Sequence, residues 1–235
     1  MPLLTRRIRD ILPATPRARI VRVDLDGESF TYLAGQAVCI SAHGYEWRRP
    51  YSITNAPEEA ARDGYLELLV GVDADGQAGP HLTLTAGGLV DIEGPAGRFT
   101  FPEQPVERRF LFIAGGTGIA PLRAMLHHAL TVPHEAIGVL FSARTFSEFA
   151  YESELRSLAD AGQIELQLRV TRETTAPESW SGVRGRLAVQ DLAPLVHDRA
   201  TLCFVCGPPA LVDEIPRALE ELGVPKACVL TEEWT

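Results

Sequence analysis

Residues 109–130 read RFLFIAGGTGIAPLRAMLHHAL. An apolar run, Phe110–Ala114, meets a glycine cluster and then a stretch with helical periodicity. A strand that turns sharply into a helix through glycines brings backbone N–H groups close to a ligand. The helix N-terminus adds a partial positive charge suited to a phosphate. Pro121 fits the first helical turn, where its missing N–H costs nothing. The spacing is GxGxxP rather than the GxGxxG of the common dinucleotide fingerprint. Taken alone, the stretch is also compatible with a tight turn set by packing.

Downstream, the same alternation recurs. AIGVLFSA (136–143) precedes the helical FAYESELRSLADAG (149–162), then IELQLRV (164–170), then TLCFVCG (201–207) and PALVDEIPRALEELG (209–223). Short apolar runs alternating with amphipathic segments predict a parallel sheet with helices on its faces. Upstream the rhythm differs. RARIVRVDL (17–25), QAVCIS (36–41), YLELLVGV (65–72) and LVDIEG (89–94) are separated by turns such as DLDGE and DADGQ, and helical periodicity is scarce. That half predicts a small antiparallel barrel or sandwich. The Pro-rich, charged FPEQPVERR (101–109) is the expected hinge, and no internal repeat is evident.

Composition narrows the function. The 235 residues are 46% hydrophobic and 23% charged, with 22 basic and 31 acidic side chains and a net charge of −9. Such a surface argues against nucleic acid as a main partner. No apolar run reaches the length of a membrane helix, and the N-terminus lacks a signal-peptide pattern, so a cytoplasmic protein without membrane insertion is expected. The four cysteines, Cys39, Cys203, Cys206 and Cys228, fit a reduced compartment. Cys203 and Cys206 have CxxC spacing but lie in a strand-like run, where residues three apart face opposite ways. A zinc site would need a second pair, so no metal is expected.

RRPYSITN (48–55) lies in the β half. In an extended strand Arg49 and Tyr51 share one face and Ser52 takes the other. Arg49 offers a fork for phosphate oxygens and Tyr51 a stacking face with a polar edge. In isolation an edge strand with an exposed arginine is the better reading.

Taken together and in this order, RPYS, GGTGIAP and CGPP resemble the ferredoxin–NADP reductase family of flavoproteins. The resemblance spans nearly the whole chain. It includes YLAGQAVCIS (32–41, with Ala34 where the family has Pro), GPAGRF (94–99) and SARTFSEFAYESEL (142–155). It implies a flavin-binding antiparallel β-barrel over residues 1–104, followed by an NAD(P)-binding parallel α/β domain over 105–235.

The resemblance also implies residue roles. Arg49 would hold a flavin phosphate, with Pro50 beside it; Tyr51 would stack on the isoalloxazine and Ser52 reach toward flavin N5. Val70 and the segment Gly79, Pro80, His81 and Leu82 would complete the flavin site, the latter at a helix N-terminus. The family often has Ser or Thr where Gly79 stands. FAD is favoured, with FMN open. Gly115, Gly116, Thr117, Gly118, Cys206, Gly207 and Pro208 would bind the nicotinamide dinucleotide, with Cys206 beside the nicotinamide. Glu232 would be the active-site acid and Trp234, followed here by Thr235, the ring that covers the flavin. Thr171, Arg172, Arg144 and Arg186 would meet a 2′-phosphate, favouring NADPH and leaving NADH open.

The implied reaction is hydride transfer from nicotinamide to flavin, with electrons passed to a separate acceptor: a ferredoxin, a flavodoxin, an oxygenase component or free flavin. The C-x₄-C-x₂-C pattern of a fused plant-type [2Fe–2S] centre is absent. Two alternatives are an electron-transfer subunit of a larger dehydrogenase and a non-catalytic redox sensor that binds flavin or nucleotide.

Overall fold

The computed structural model describes residues 3–173 and 180–234. The chain divides into two compact units. One comprises Met1–Glu103 together with Arg123–His128, the other Gln104–Leu122 and Ala129–Thr235.

The first unit contains β1 (Leu3–Thr15), β2 (Ala18–Asp24), β3 (Ala37–Ala42), β4 (Arg49–Ser52), α1 (Pro57–Asp63), β5 (Tyr65–Gly71) and β6 (Leu89–Ala96). Its strands form an antiparallel sheet in the order β4-β3-β6-β1-β2-β5. The two outermost strands then meet. Ile53 bridges Leu68, and the Thr54 N–H donates to the Glu67 carbonyl at 2.8 Å. That closure removes the sheet's open edges over this stretch and makes the sheet a barrel.

Alternation fills the barrel: Val21 and Val23, Val38 and Ile40, Leu66, Leu68 and Val70, Val90 and Ile92 all share one core. Gly35, φ +101°, could not be another residue. A Cβ there would stand 2.4 Å from the Phe99 carbonyl oxygen.

Two elements depart from the sequence reading. The first strand begins at Leu3, well before the RARIVRVDL stretch. The barrel half also carries α1, where no helix is expected from apolar periodicity alone. Local chemistry makes it. Pro57 opens the helix, Glu59 accepts from the Ala56 N–H at 2.8 Å, and Gly64 closes it at φ +73°. Conversely, the expected helix after Gly79 is absent. Residues 79–82 form a turn, with the Leu82 N–H donating to the Gly79 carbonyl at 3.3 Å. The His81 carbonyl is taken by the Ala42 N–H at 2.8 Å, and the chain runs on through Thr83, Thr85, Gly87 and Gly88, a poor helix sequence.

The second unit contains β7 (Arg109–Gly115), β8 (Ala136–Ala143), α3 (Glu152–Asp160), β9 (Glu165–Val170), β10 (Val183–Arg184), α4 (Val189–Leu192), β11 (Leu202–Gly207), α5 (Pro209–Glu221) and β12 (Val229–Glu233). The helix α2 (Ile119–Ala129) starts there, and its Arg123–His128 portion groups with the barrel. The parallel sheet runs β10-β9-β8-β7-β11-β12. β7, β8 and β11 are buried almost throughout, as strands covered on both faces must be. Phe112 and Phe204, paired in register on β7 and β11, stack with centroids 5.5 Å apart, a contact of about 0.5–1.5 kcal/mol beyond area burial.

Candidate active site

β4 pairs with β3 through Arg49 opposite Ile40, Pro50 opposite Cys39, Tyr51 opposite Val38 and Ser52 opposite Ala37. Arg49 and Pro50 are exposed, Tyr51 half-buried and Ser52 buried. The strand's polar continuation anchors it. Thr54 Oγ1 donates to Glu67 Oε1 at 3.1 Å, and Asn55 bonds the backbone of Tyr65 and Glu67 on β5. Arg123 donates to the Thr54 carbonyl at 2.9 Å, and Arg22 Nε to Glu67 at 2.9 Å. The loop before β4 is held from below by Asp91, which accepts from Thr5, His43 and the Gly44 N–H at 2.7, 2.9 and 3.0 Å. Burial alone would push the Asp91 carboxyl up, but the hydrogen bonds from His43, Thr5 and Gly44 outweigh it and hold it at about 2.

Tyr51 meets His81. Their rings lie 12° from parallel with centroids 6.0 Å apart, and the Tyr51 hydroxyl is 2.9 Å from His81 Nε2. Burial raises the Tyr51 phenol, with Arg49 opposing in part; burial lowers His81, and Arg49 reinforces it. The pair is therefore a neutral phenol and a neutral imidazole. Gly79 (φ +97°) and Pro80 are exposed beside them. Val70 and Leu82 lie in the barrel core, buried throughout, so neither offers a side chain to a ligand.

In the second unit the glycine cluster sits where the strand order reverses, at the carboxyl ends of β7 and β11, the usual ligand crevice of such sheets. A Cβ on Gly118 would stand 2.2 Å from the Cys206 carbonyl oxygen, and one on Gly115 2.8 Å from Pro208. These glycines let the loop lie against Gly207. Gly116 (φ +56°) and Thr117 instead face solvent.

Cys206 is fully buried; burial chiefly, and Glu232 next, push its thiol far up. Glu232 lies opposite it in register on β12, and burial raises that carboxyl above the usual range. The Trp234 N–H donates to the Gly207 carbonyl at 2.9 Å, pinning the half-buried ring beside the CGPP turn. Thr235 lies outside the described residues.

Arg144, Arg172 and Arg186 are all exposed and follow neighbouring strands. Thr171 N–H donates to the Ala143 carbonyl at 2.9 Å, Arg172 N–H to the Arg144 carbonyl at 3.0 Å, and Gly185 N–H to the Val170 carbonyl at 2.9 Å. Arg169 organises the third of these segments. Buried at 3% exposure, it donates to the Arg186 carbonyl at 2.9 Å and pairs with Asp191. Its role was hidden in the sequence, although an arginine inside the apolar run IELQLRV was the signal.

Residues 10–101 match the oxidoreductase FAD-binding domain and residues 112–216 the oxidoreductase NAD-binding domain. Ferredoxin–NADP reductase B of Sorangium cellulosum is 34% identical over 97% of this chain and 96% of its own length. The chain belongs to the ferredoxin–NADP reductase family. NADH-cytochrome b5 reductase 1 of Scheffersomyces stipitis is 30% identical over 82% of the chain and 69% of its own length. The FAD/NAD-binding domain of nitric oxide dioxygenase from Vibrio cholerae shares the fold, with a TM-score of 0.81 at 22% identity and 98% of both chains covered.

As a ferredoxin–NADP reductase family member, the protein is an NAD(P)H oxidoreductase that uses FAD and a nicotinamide dinucleotide. Its residues fit those groups. His81 Nδ1 and Trp234 Nε1 are buried polar atoms without a hydrogen-bond partner, and a Cβ on Gly116 would meet nothing within 4 Å. No helix among the described residues is long and apolar enough to cross a membrane.

Proposed function

We propose that this reductase takes electrons from NADPH in preference to NADH and delivers them through FAD to a separate ferredoxin, flavodoxin or oxygenase component. The flavin domain is residues 1–104 and the nucleotide domain 105–235. When bound, FAD supplies the exchange between two-electron uptake of hydride and one-electron release. Arg49 holds its phosphate and Tyr51 orients its ring. Ser52 places a hydroxyl at the reacting edge. Glu232, its carboxyl raised by burial, is the proton donor where charge develops. Trp234 provides the flat ring that the nicotinamide must displace. The Sorangium relative, named as a ferredoxin–NADP reductase, supports a ferredoxin as acceptor, and the four free cysteines suit a cytoplasmic setting.

The NADPH preference is carried by one observation: backbone hydrogen bonds bring Arg144 and Arg172 side by side, and Arg186 follows the next strand. A dianionic phosphate suits such a group. Arg172→Ala should raise the KM for NADPH roughly tenfold or more, the loss of one charged hydrogen bond, and leave that for NADH nearly unchanged. Equal changes for both coenzymes would overturn the preference.

A further inference from the structure

We propose that His81 donates its Nδ1 proton to a phosphoryl oxygen of the bound flavin, taking the place of a helix N-terminus that this turn does not form. The assignment rests on the flavin reading of the first unit and adds the atom, its protonation and the group it meets.

Three observations carry it. First, His81 is 3% exposed and its Nδ1 has no partner. A buried imidazole nitrogen left unpaired is costly, so a ligand that supplies a partner recovers that loss. Second, the other nitrogen is already committed. Nε2 lies 2.9 Å from the Tyr51 hydroxyl. A phenol O–H is a stronger acid than a neutral imidazole N–H, and the imidazole nitrogen a better base than the phenol oxygen, so Tyr51 donates and Nε2 accepts. A neutral imidazole carries one proton, which places it on Nδ1. Third, the Nδ1 side faces the exposed Gly79–Pro80 turn. A carbon in the Cβ position of Gly79 would stand 3.5 Å from Nδ1 and, apart from its chain neighbours, meet only that imidazole.

The acceptor is an anion because Arg49 shares a face of β4 with Tyr51, which bonds His81, and is itself exposed. Beside an arginine, an N–H donor suits a phosphoryl oxygen better than it suits a carbonyl. No helix dipole competes for that role, since Gly79–Leu82 is a turn.

The test measures binding of riboflavin, FMN and FAD to the apoprotein by flavin fluorescence, with melting temperatures alongside. His81→Ala should lose about tenfold or more in FMN and FAD affinity and leave riboflavin unchanged. Two amide variants separate the nitrogens. His81→Asn keeps a donor near the Nδ1 position and should retain FAD affinity, whereas His81→Gln reaches only toward Tyr51 and should not. The opposite order would assign His81 to positioning Tyr51 and overturn the proposal, as would an equal loss for riboflavin. Long-range ¹H–¹⁵N NMR of the wild-type protein needs no variant to fold. It should show the Nδ1–H tautomer before flavin is added and a changed Nδ1 shift after. An Nε2–H tautomer would overturn the assignment. Wild-type protein that takes up no flavin at all would overturn the flavin reading itself.

Discussion

Gly116 and Gly118 stand in the same loop under opposite constraints. Gly118 has ordinary backbone torsions, but its missing side chain leaves room for the Cys206 carbonyl, 2.2 Å from where a Cβ would lie. Gly116 has open space around it but a positive φ of 56°. Gly118→Ala should therefore destabilise by about 1–3 kcal/mol through forced backbone movement, and Gly116→Ala by only about 1 kcal/mol of torsional cost. Urea unfolding of the two variants would check this, and a reversed order would show that torsion, not contact, governs the loop. Glu232 gives a prediction in pH. Its carboxyl is raised in the folded state, so folding favours its protonated form. That contribution is full below the unfolded value and is lost as pH rises through the folded one. Glu232→Gln should raise the melting temperature at neutral pH, with the gain fading below about pH 4. A gain independent of pH would contradict the burial argument. At this scale the sequence was readable where the constraint is local, as at the glycines of the 115–118 loop. It could not show that Nδ1 of His81 is stranded or that Arg169 is buried, because both follow from partners remote in sequence.

At the scale of elements, the joint between β4 and β5 depends on buried charge. Glu67 accepts from Arg22 and Thr54, and Arg123 lies 3.6 Å from it and donates to the Thr54 carbonyl. Removing one member of a buried pair leaves the other charged and desolvated, at a cost of about 3–5 kcal/mol. Glu67→Ala should lose stability on that order in denaturant and loosen the strand that carries Arg49, Tyr51 and Ser52. A loss under about 1 kcal/mol would mean that Glu59, 3.6 Å from Arg123, suffices alone. β2, β3, β5 and β6 were legible from alternation, whereas β1 was not, and the longer helices of the second unit from their periodicity. α5 runs on through Pro216 as the periodicity implied. What failed was short-range. α1 is too brief for periodicity to register and is made by Pro57, Glu59 and Gly64. The segment after Gly79 lacks a helix because its carbonyl groups are spent on the end of β3 and on its own turn.

For the whole molecule, the ordered motifs RPYS, GGTGIAP and CGPP decided the family because each constrains the others; none did so alone. What no motif revealed is that the barrel unit is discontinuous in sequence: it takes in Arg123–His128, among them the guanidinium that answers Glu67 and Thr54. This has a consequence in time. A chain is made from its N-terminus, and when residue 103 leaves the ribosome every strand of the barrel has been delivered, but the second of the two cations that face its buried carboxylate has not. Between residues 103 and 128 the nascent barrel must hold Glu67 with Arg22 alone or keep β4 and β5 apart. The last step in completing the N-terminal unit thus waits on translation of the nucleotide loop and the helix behind it.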